Sequence, residues 1–298
     1  MSCRRFQLPK KMPEMPEVET IARRLRKTVL GKKIAEVQLS GLPLRKSVPE
    51  MFPTQLQGRT IRRIHRRGKY LIAEMEPRLF WLIHLGMTGT ISYPAPITEV
   101  ENHTHARIRF SDTTELRYRD QRRFGLLAAY EVSRLNQIPE LKSLGRDPLG
   151  PGFGRDWLWS QLSKSRQEIK AFLLDQRRIA GLGNIYVCEA LFRARIHPSR
   201  RCFTVTQEES GRLALAVRRV LLSAIHRRGT TLRDFIDLEG EPGSNQNYLL
   251  VFQREGKRCR RCGAPIERLR QGNRSSFLCP GCQVKPRSSP QQKERQKG

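Results

Sequence analysis

Four cysteines carry the plainest chemistry in the chain. Cys259 and Cys262 form one Cys-x2-Cys pair, sixteen residues follow, and Cys279 and Cys282 form a second. Each pair puts two thiolates on one tight turn. Two such turns facing each other close the tetrahedron that zinc takes with sulfur ligands. Four thiolates leave no open position for water, so the expected metal is one structural Zn2+ holding a hairpin too small to fold on its own core. Cys3, Cys188 and Cys202 are scattered and read as ordinary core or surface cysteines. A second oddity lies near the beginning. In "KKMPEMPEVETIARRL", residues 10 to 25, two Met-Pro dipeptides stand three residues apart, each followed by glutamate. They raise the question of which methionine is the functional start.

The charge balance names the partner. The chain of 298 residues holds 57 basic and 28 acidic side chains, a net charge of +29. Such an excess attracts polyanions, nucleic acid first, through release of counterions from phosphates. No apolar run reaches membrane-spanning length. "MSCRRFQLPKK" lacks the apolar centre of a signal peptide. A cytosolic protein that binds nucleic acid and no membrane is expected. At 38% hydrophobic the chain can bury a sizeable core, and its length suits two or three domains.

The elements that must position these residues follow from periodicity. Val18, Ile21, Ala22 and Leu25 recur at helical spacing over 16–30, and Gly31 supplies a stop. From about residue 33 the pattern becomes short β-branched and aromatic runs divided by Gly, Pro and Asp: "KIAEVQLS", "RTIRRIHRRGKYLIAEM", "RLFWLIHLGMTGTISY", "HARIRFSDTTELRYRD" and "FGLLAAYEV". "SLGRDPLGPGFG" reads as a linker. Helical periodicity returns over 155–236, a polar loop spans 239–247, and the cysteine segment follows. The tail "KPRSSPQQKERQKG" lacks apolar anchors and is expected to be disordered.

Several stretches, in order, resemble the bacterial formamidopyrimidine-DNA glycosylases, bifunctional base-excision repair enzymes. They are "MPEMPEVET", "RRGKYL", "HLGMTG", "RDQRRFG", "LLDQRRIAGLGNIYVCEALFRARIHP", "GTTLRDF" and the four-cysteine segment. The resemblance covers residues 12 to 284. It implies a nucleophile, the secondary amine of an N-terminal proline freed by removal of the initiator methionine. An α-amino group titrates at about 7.7–8.0, far below lysine, so part of it is neutral at cellular pH and can attack a sugar carbon. Pro13 matches that proline and Glu14 its adjacent carboxylate, with Glu17 at the second glutamate; either acid also suits the first turn of a helix by the dipole alone. With translation from Met1 the Pro13 nitrogen is an amide and cannot attack. Met12 is therefore the expected start, with residues 1–11 an artefact of start assignment, or the leader is processed.

Further roles come from the resemblance. Lys69 matches the hairpin lysine near the target phosphate, assigned as proton donor in β-elimination. A base must be flipped out of the duplex for repair, and Met87, Arg122 and Phe124 match the side chains that fill the void. The residue types suit that role, as a flexible thioether, a guanidinium for the orphaned base and an aromatic wedge. The family's proline before this Arg-Arg-Phe is Gln121 here. His103 matches a DNA-contacting histidine. The family's lysine before "EIK" falls on Ser165, flanked by Lys164 and Arg166, so Arg166 is taken as a DNA contact. Asn184 and Lys170 are expected at phosphates beside the lesion. Arg274 matches the hairpin arginine assigned to phosphate binding and δ-elimination. Ser244 stands where the family often carries an aromatic.

The expected class is α+β: an N-terminal two-layer β-sandwich with flanking helices, a helix–two-turn–helix domain and a C-terminal four-cysteine zinc hairpin. The expected divisions are a leader at 1–11, a catalytic sandwich at 12–142, a linker at 143–154, a DNA-binding domain at 155–248, the zinc hairpin at 249–284 and a tail at 285–298. The activity implied is excision of 8-oxoguanine and formamidopyrimidines from double-stranded DNA, with β,δ-elimination at abasic sites. The protein is expected to be a monomer in the bacterial cytoplasm, working at the nucleoid. Two alternatives stand beside this: an endonuclease VIII-like enzyme for oxidised pyrimidines, and a non-catalytic damaged-DNA binder if the leader is retained.

Overall fold

The fold is described from a computed structural model, over residues 12–93, 99–232 and 235–285. The leader at 1–11 and nearly all of the tail lie outside the described residues. The chain divides into two compact units. One holds the residues up to Leu144 together with Leu222–Asn247, the other Gly145–Leu221 and the residues from Tyr248 onward.

In the first unit, α1 (Met15–Thr28) is followed by β1 (Ile34–Leu39), α2 (Phe52–Leu56), β2 (Ile61–Arg67), β3 (Tyr70–Met75), β4 (Leu79–His84), β5 (Gly89–Ser92), β6 (Thr104–Phe110), β7 (Glu115–Asp120), β8 (Leu126–Glu131) and α3 (Pro139–Lys142). The strands form two four-stranded antiparallel sheets, β1-β6-β7-β5 and β2-β3-β4-β8. Both supply one core, with Ile34, Ile108, Phe110 and Tyr118 from the first sheet and Leu71, Ala73, Trp81 and Ile83 from the second. Val18, Ile21, Ala22 and Leu25 of α1 join the same core, the apolar stripe that helical spacing predicts. All six residues of β4 are buried. Phe80 and Leu82 point the other way, into a smaller cluster with Ile138 and Leu141 beside α3. That outer cover explains why "LFWLIH" reads as a continuous apolar run rather than an alternation.

The second unit contains α4 (Arg155–Leu162), α5 (Ile169–Leu174), α6 (Asn184–Ala194) and most of α7 (Gln207–His226), then the hairpin of β9 (Glu267–Gln271) and β10 (Arg274–Leu278). Between α5 and α6 the Gln176 side chain ties the turns together. Its Nε2 donates to the carbonyls of Leu174 and Leu182, and its Oε1 accepts from Gly181 N–H. Glu189, 1% exposed, accepts the amides of Leu250, Val251 and Phe252 at 2.9–3.0 Å and so ties α6 to the segment that enters the hairpin. Among the described residues no helix is long and apolar enough to cross a membrane.

Candidate active site and nucleic-acid interface

In the first unit, Pro13 is half-buried and directly precedes Glu14, the extended residue that caps α1. The helix starts here because Pro16 fits its first turn and Glu17 turns back to close it. Glu17 Oε2 accepts the Glu14 amide at 2.9 Å. Its other oxygen accepts the Thr230 amide at 2.7 Å. Glu14 and Glu17 are 4% and 2% exposed, so these carboxylates are held in fixed positions beside Pro13. Arg24 of α1 pairs with Glu239 at 3.2 Å and lies 3.8 Å from Asp237. These contacts bring residues 222–247 to the sandwich unit.

Lys69 occupies the second central position of a two-residue turn between β2 and β3, after Gly68 at φ +58. Glycine in that first place suits the turn types that match strand twist. Lys69 is 9% exposed. The turn is tied to α1: Arg66 Nε donates to Glu19 Oε2 at 2.9 Å, and Arg66 Nη1 donates to the Gly68 carbonyl at 3.2 Å. Met87 is half-buried on the β4–β5 turn, and Arg122 and Phe124 are exposed on the β7–β8 turn. The Arg122 guanidinium stacks 4.6 Å from the Phe124 ring centre. His103 is exposed, at φ +66.

In the second unit three of the expected residues come together. The Ser275 carbonyl, next to Arg274, accepts from Lys170 Nζ at 3.0 Å and Asn184 Nδ2 at 2.9 Å. Lys170 also donates to Ser276 Oγ at 2.5 Å and is only 2% exposed. Sequence reading sets this lysine at a phosphate; its ammonium lies under β10. Arg274 is exposed and borders a cleft of about 380 Å³ with Gly272, Asn273 and Glu168. Arg166 is exposed, while the neighbouring Ser165 is buried.

The four sulfurs of Cys259, Cys262, Cys279 and Cys282 lie within 4.8 Å of one another, with Cys262–Cys279 at 3.3 Å and Cys259–Cys282 at 4.0 Å. A tetrahedron with zinc–sulfur bonds of about 2.3 Å has sulfurs about 3.8 Å apart. The set fits one structural zinc. Gly281 sits close to the set: a Cβ on it would lie 3.1 Å from Cys262 Sγ, a tight contact.

Family models match three successive segments: the formamidopyrimidine-DNA glycosylase N-terminal domain over 12–127, the corresponding H2TH domain over 144–236, and the zinc finger found in FPG and IleRS over 256–284. The formamidopyrimidine-DNA glycosylase of Desulforamulus reducens is 42% identical over 274 residues, 91% of this chain and 99% of that protein. The chain belongs to the formamidopyrimidine-DNA glycosylase family. The Geobacillus kaustophilus member is 38% identical, covering 91% of this chain and 100% of the relative. Lactococcus lactis Fpg, solved with DNA containing an abasic site, superposes with a TM-score of 0.84 at 34% identity over 92% of this chain and 100% of that one. The MutM (Fpg) protein of Thermus thermophilus gives 0.81 at 39%, with the same coverage.

Sequence reading of this glycosylase overlooked His84. Burial, then Lys69 and Arg45, push its imidazole down to about 4. It is therefore neutral at cellular pH. Its Nδ1 accepts the Gly86 amide at 3.0 Å, so Nε2 carries the proton. The signal available was the histidine of "HLGMTG", two residues before a glycine. Glu189 was overlooked for a different reason: its amide partners lie about sixty residues further along the chain.

Proposed function

We propose that this chain excises 8-oxoguanine and formamidopyrimidines from double-stranded DNA, then cleaves the strand at the abasic site by β,δ-elimination. The observation that carries this reading is a family match over nearly the whole chain whose first model begins at Met12, one residue before the Pro13-Glu14 pair that opens α1. Solved relatives hold DNA with Fapy-dG, an abasic site or carbocyclic 8-oxoguanine.

In this reading the free Pro13 amine attacks C1′ of the everted nucleotide. The glycosidic bond breaks, the base leaves with a proton, and an iminium joins Pro13 to the opened sugar. Glu14 donates to the ring oxygen or the leaving base, and buried Glu17 fixes Glu14 through its amide. The iminium withdraws electrons and acidifies the neighbouring sugar proton. That proton passes to solvent, the C3′–O bond breaks, and Lys69 donates a proton to the departing 3′ phosphate; Arg274 assists the second elimination. Met87, Arg122 and Phe124 fill the void in the duplex. His103, Asn184 and Arg166 contact the backbone, and Lys170 acts through β10, holding Arg274 in place. The zinc fixes the hairpin and takes no part in bond making. Attack requires Pro13 to be the first residue of the working protein, by initiation at Met12 and methionine removal or by processing. The net charge of +29 supports work on DNA, which we place at the nucleoid with the protein as a monomer.

The test is incision of matched duplexes carrying 8-oxoguanine or thymine glycol. Preferential cutting of 8-oxoguanine, leaving phosphate on both sides of the gap, is the expected result. Preference for thymine glycol would move the protein to the endonuclease VIII-like alternative.

A further inference from the structure

Two turns carry the side chains assigned above to filling the void, and one buried carboxylate joins them. Asp120 is fully buried at the end of β7. Its Oδ1 accepts from Thr88 Oγ1 at 2.5 Å and from the Arg122 amide at 3.3 Å. Its Oδ2 accepts from the Gly125 amide at 2.8 Å and from the Tyr118 hydroxyl at 3.4 Å. Thr88 closes the triangle, because its Oγ1 also accepts the Arg122 amide at 3.0 Å. Thr88 follows Met87; Arg122 and Phe124 lie just beyond Asp120. The backbones of the two turns touch as well. A Cβ on Gly86, itself at φ +60, would lie 2.5 Å from the Phe124 carbonyl carbon and 2.6 Å from the Gly125 nitrogen.

We propose that Asp120 and Thr88 are positioning residues that lock the Met87 turn to the Arg122–Phe124 turn, so that the three side chains enter the duplex as one rigid wedge. This rests on the void-filling reading given above. Phe124 is 44% exposed and Arg122 is exposed; they stack on each other, and Asp120 and Thr88 hold the Arg122 amide beneath them. Backbone bonds run from Arg123 N–H to the Asp120 carbonyl at 3.2 Å and from Arg45 N–H to the Gly125 carbonyl at 3.1 Å, and Gln121 stands at the position where proline would preset φ. An aspartate that bonds the amide two residues on, and a hydroxyl on the facing turn, stiffen the turn from beneath.

The two steps of the reaction separate this role from a merely structural one. Everting a paired base needs the wedge; cleaving a pre-formed abasic site needs it far less. Single-turnover base release from an 8-oxoguanine·cytosine duplex and strand cleavage at a pre-formed abasic site are measured for each variant. Asp120→Asn keeps the shape but turns one oxygen into a donor facing donors. We expect a loss of roughly thirtyfold in base release, about 2 kcal/mol of barrier, with abasic cleavage changed less than about threefold. Thr88→Val should follow in the same direction, and Thr88→Ser, which keeps the hydroxyl, should restore most of the rate. Arg122→Ala tests the underlying reading. If it leaves base release unchanged, the void-filling role fails. If it slows base release while Asp120→Asn and Thr88→Val do not, or if these two slow both steps equally, the positioning role is wrong. Should Asp120→Asn fail to fold by circular dichroism, the Thr88 pair decides alone.

Discussion

Replacing Glu189 by glutamine tests how the zinc hairpin is held. The carboxylate is 1% exposed and accepts three successive amides: Leu250, Val251 and Phe252. Phe252 in turn packs edge-on against Phe277 of β10 at 4.9 Å. A hydrogen bond to a charged acceptor is worth about 1 kcal/mol more than one to a neutral acceptor, so three donors set a gross loss of about 3 kcal/mol. Part of this is offset, because burial raises the Glu189 carboxyl above its ordinary range while the amides pull it down. A neutral side chain escapes that desolvation. The net expectation is a loss of about 2 kcal/mol for Glu189→Gln, and about 4–5 kcal/mol for Glu189→Ala, which orphans all three amides and leaves a cavity. Calorimetry of the zinc-loaded protein should show the glutamine variant melting about 4–8 °C lower. Zinc release to a chromogenic chelator in mild denaturant should be faster. A glutamine variant that melts with wild type and keeps its zinc as long would show that these amides are satisfied some other way.

Three further outcomes are expected. Arg66→Gln frees the Lys69 turn from Glu19, with a loss of roughly 2–3 kcal/mol for an almost buried pair; abasic-site cleavage should fall about tenfold while affinity for the same DNA, by fluorescence anisotropy, changes little. For His84 the folded value, about 4, lies below the ordinary 6.5. The unfolded chain then takes up a proton that the folded one refuses, so stability falls as pH drops from 6.5 towards 4. The His84 share at pH 4.5 is about 2.5 kcal/mol, and denaturant midpoints for His84→Asn should show a correspondingly shallower decline between pH 7 and 4.5. Removing zinc by chelation, or Cys279→Ala, should unfold the β9–β10 hairpin and abolish binding to abasic-site DNA, followed by near-ultraviolet circular dichroism and anisotropy.

The sequence made the local pieces readable and left the long-range ones obscure. Helical spacing of Val18, Ile21, Ala22 and Leu25 placed α1 and cysteine spacing placed the metal, because each is decided within about twenty residues, while the hairpin of Lys69 came from the family resemblance. Lys170 shows where this stops. Its neighbours Ile169, Phe172 and Leu173 mark a buried face, yet only a strand more than a hundred residues later explains why the lysine goes beneath it. The same holds for residues 222–247. Helical periodicity carries α7 to His226, so the eye continues the helical domain, whereas Glu17 and Arg24 draw Thr230 and Glu239 to the sandwich unit. Asp120 looks like an ordinary turn aspartate until Thr88, from another turn, is seen to meet it.

Borohydride trapping on abasic-site DNA bears most directly on the amine of Pro13. A chain beginning at Pro13 should give a covalent adduct, and mass spectrometry of its peptides should put the sugar remnant on the Pro13 nitrogen; the chain with residues 1–11 retained should give none. An adduct on a lysine, or equal trapping with that nitrogen still in a peptide bond, would contradict the mechanism.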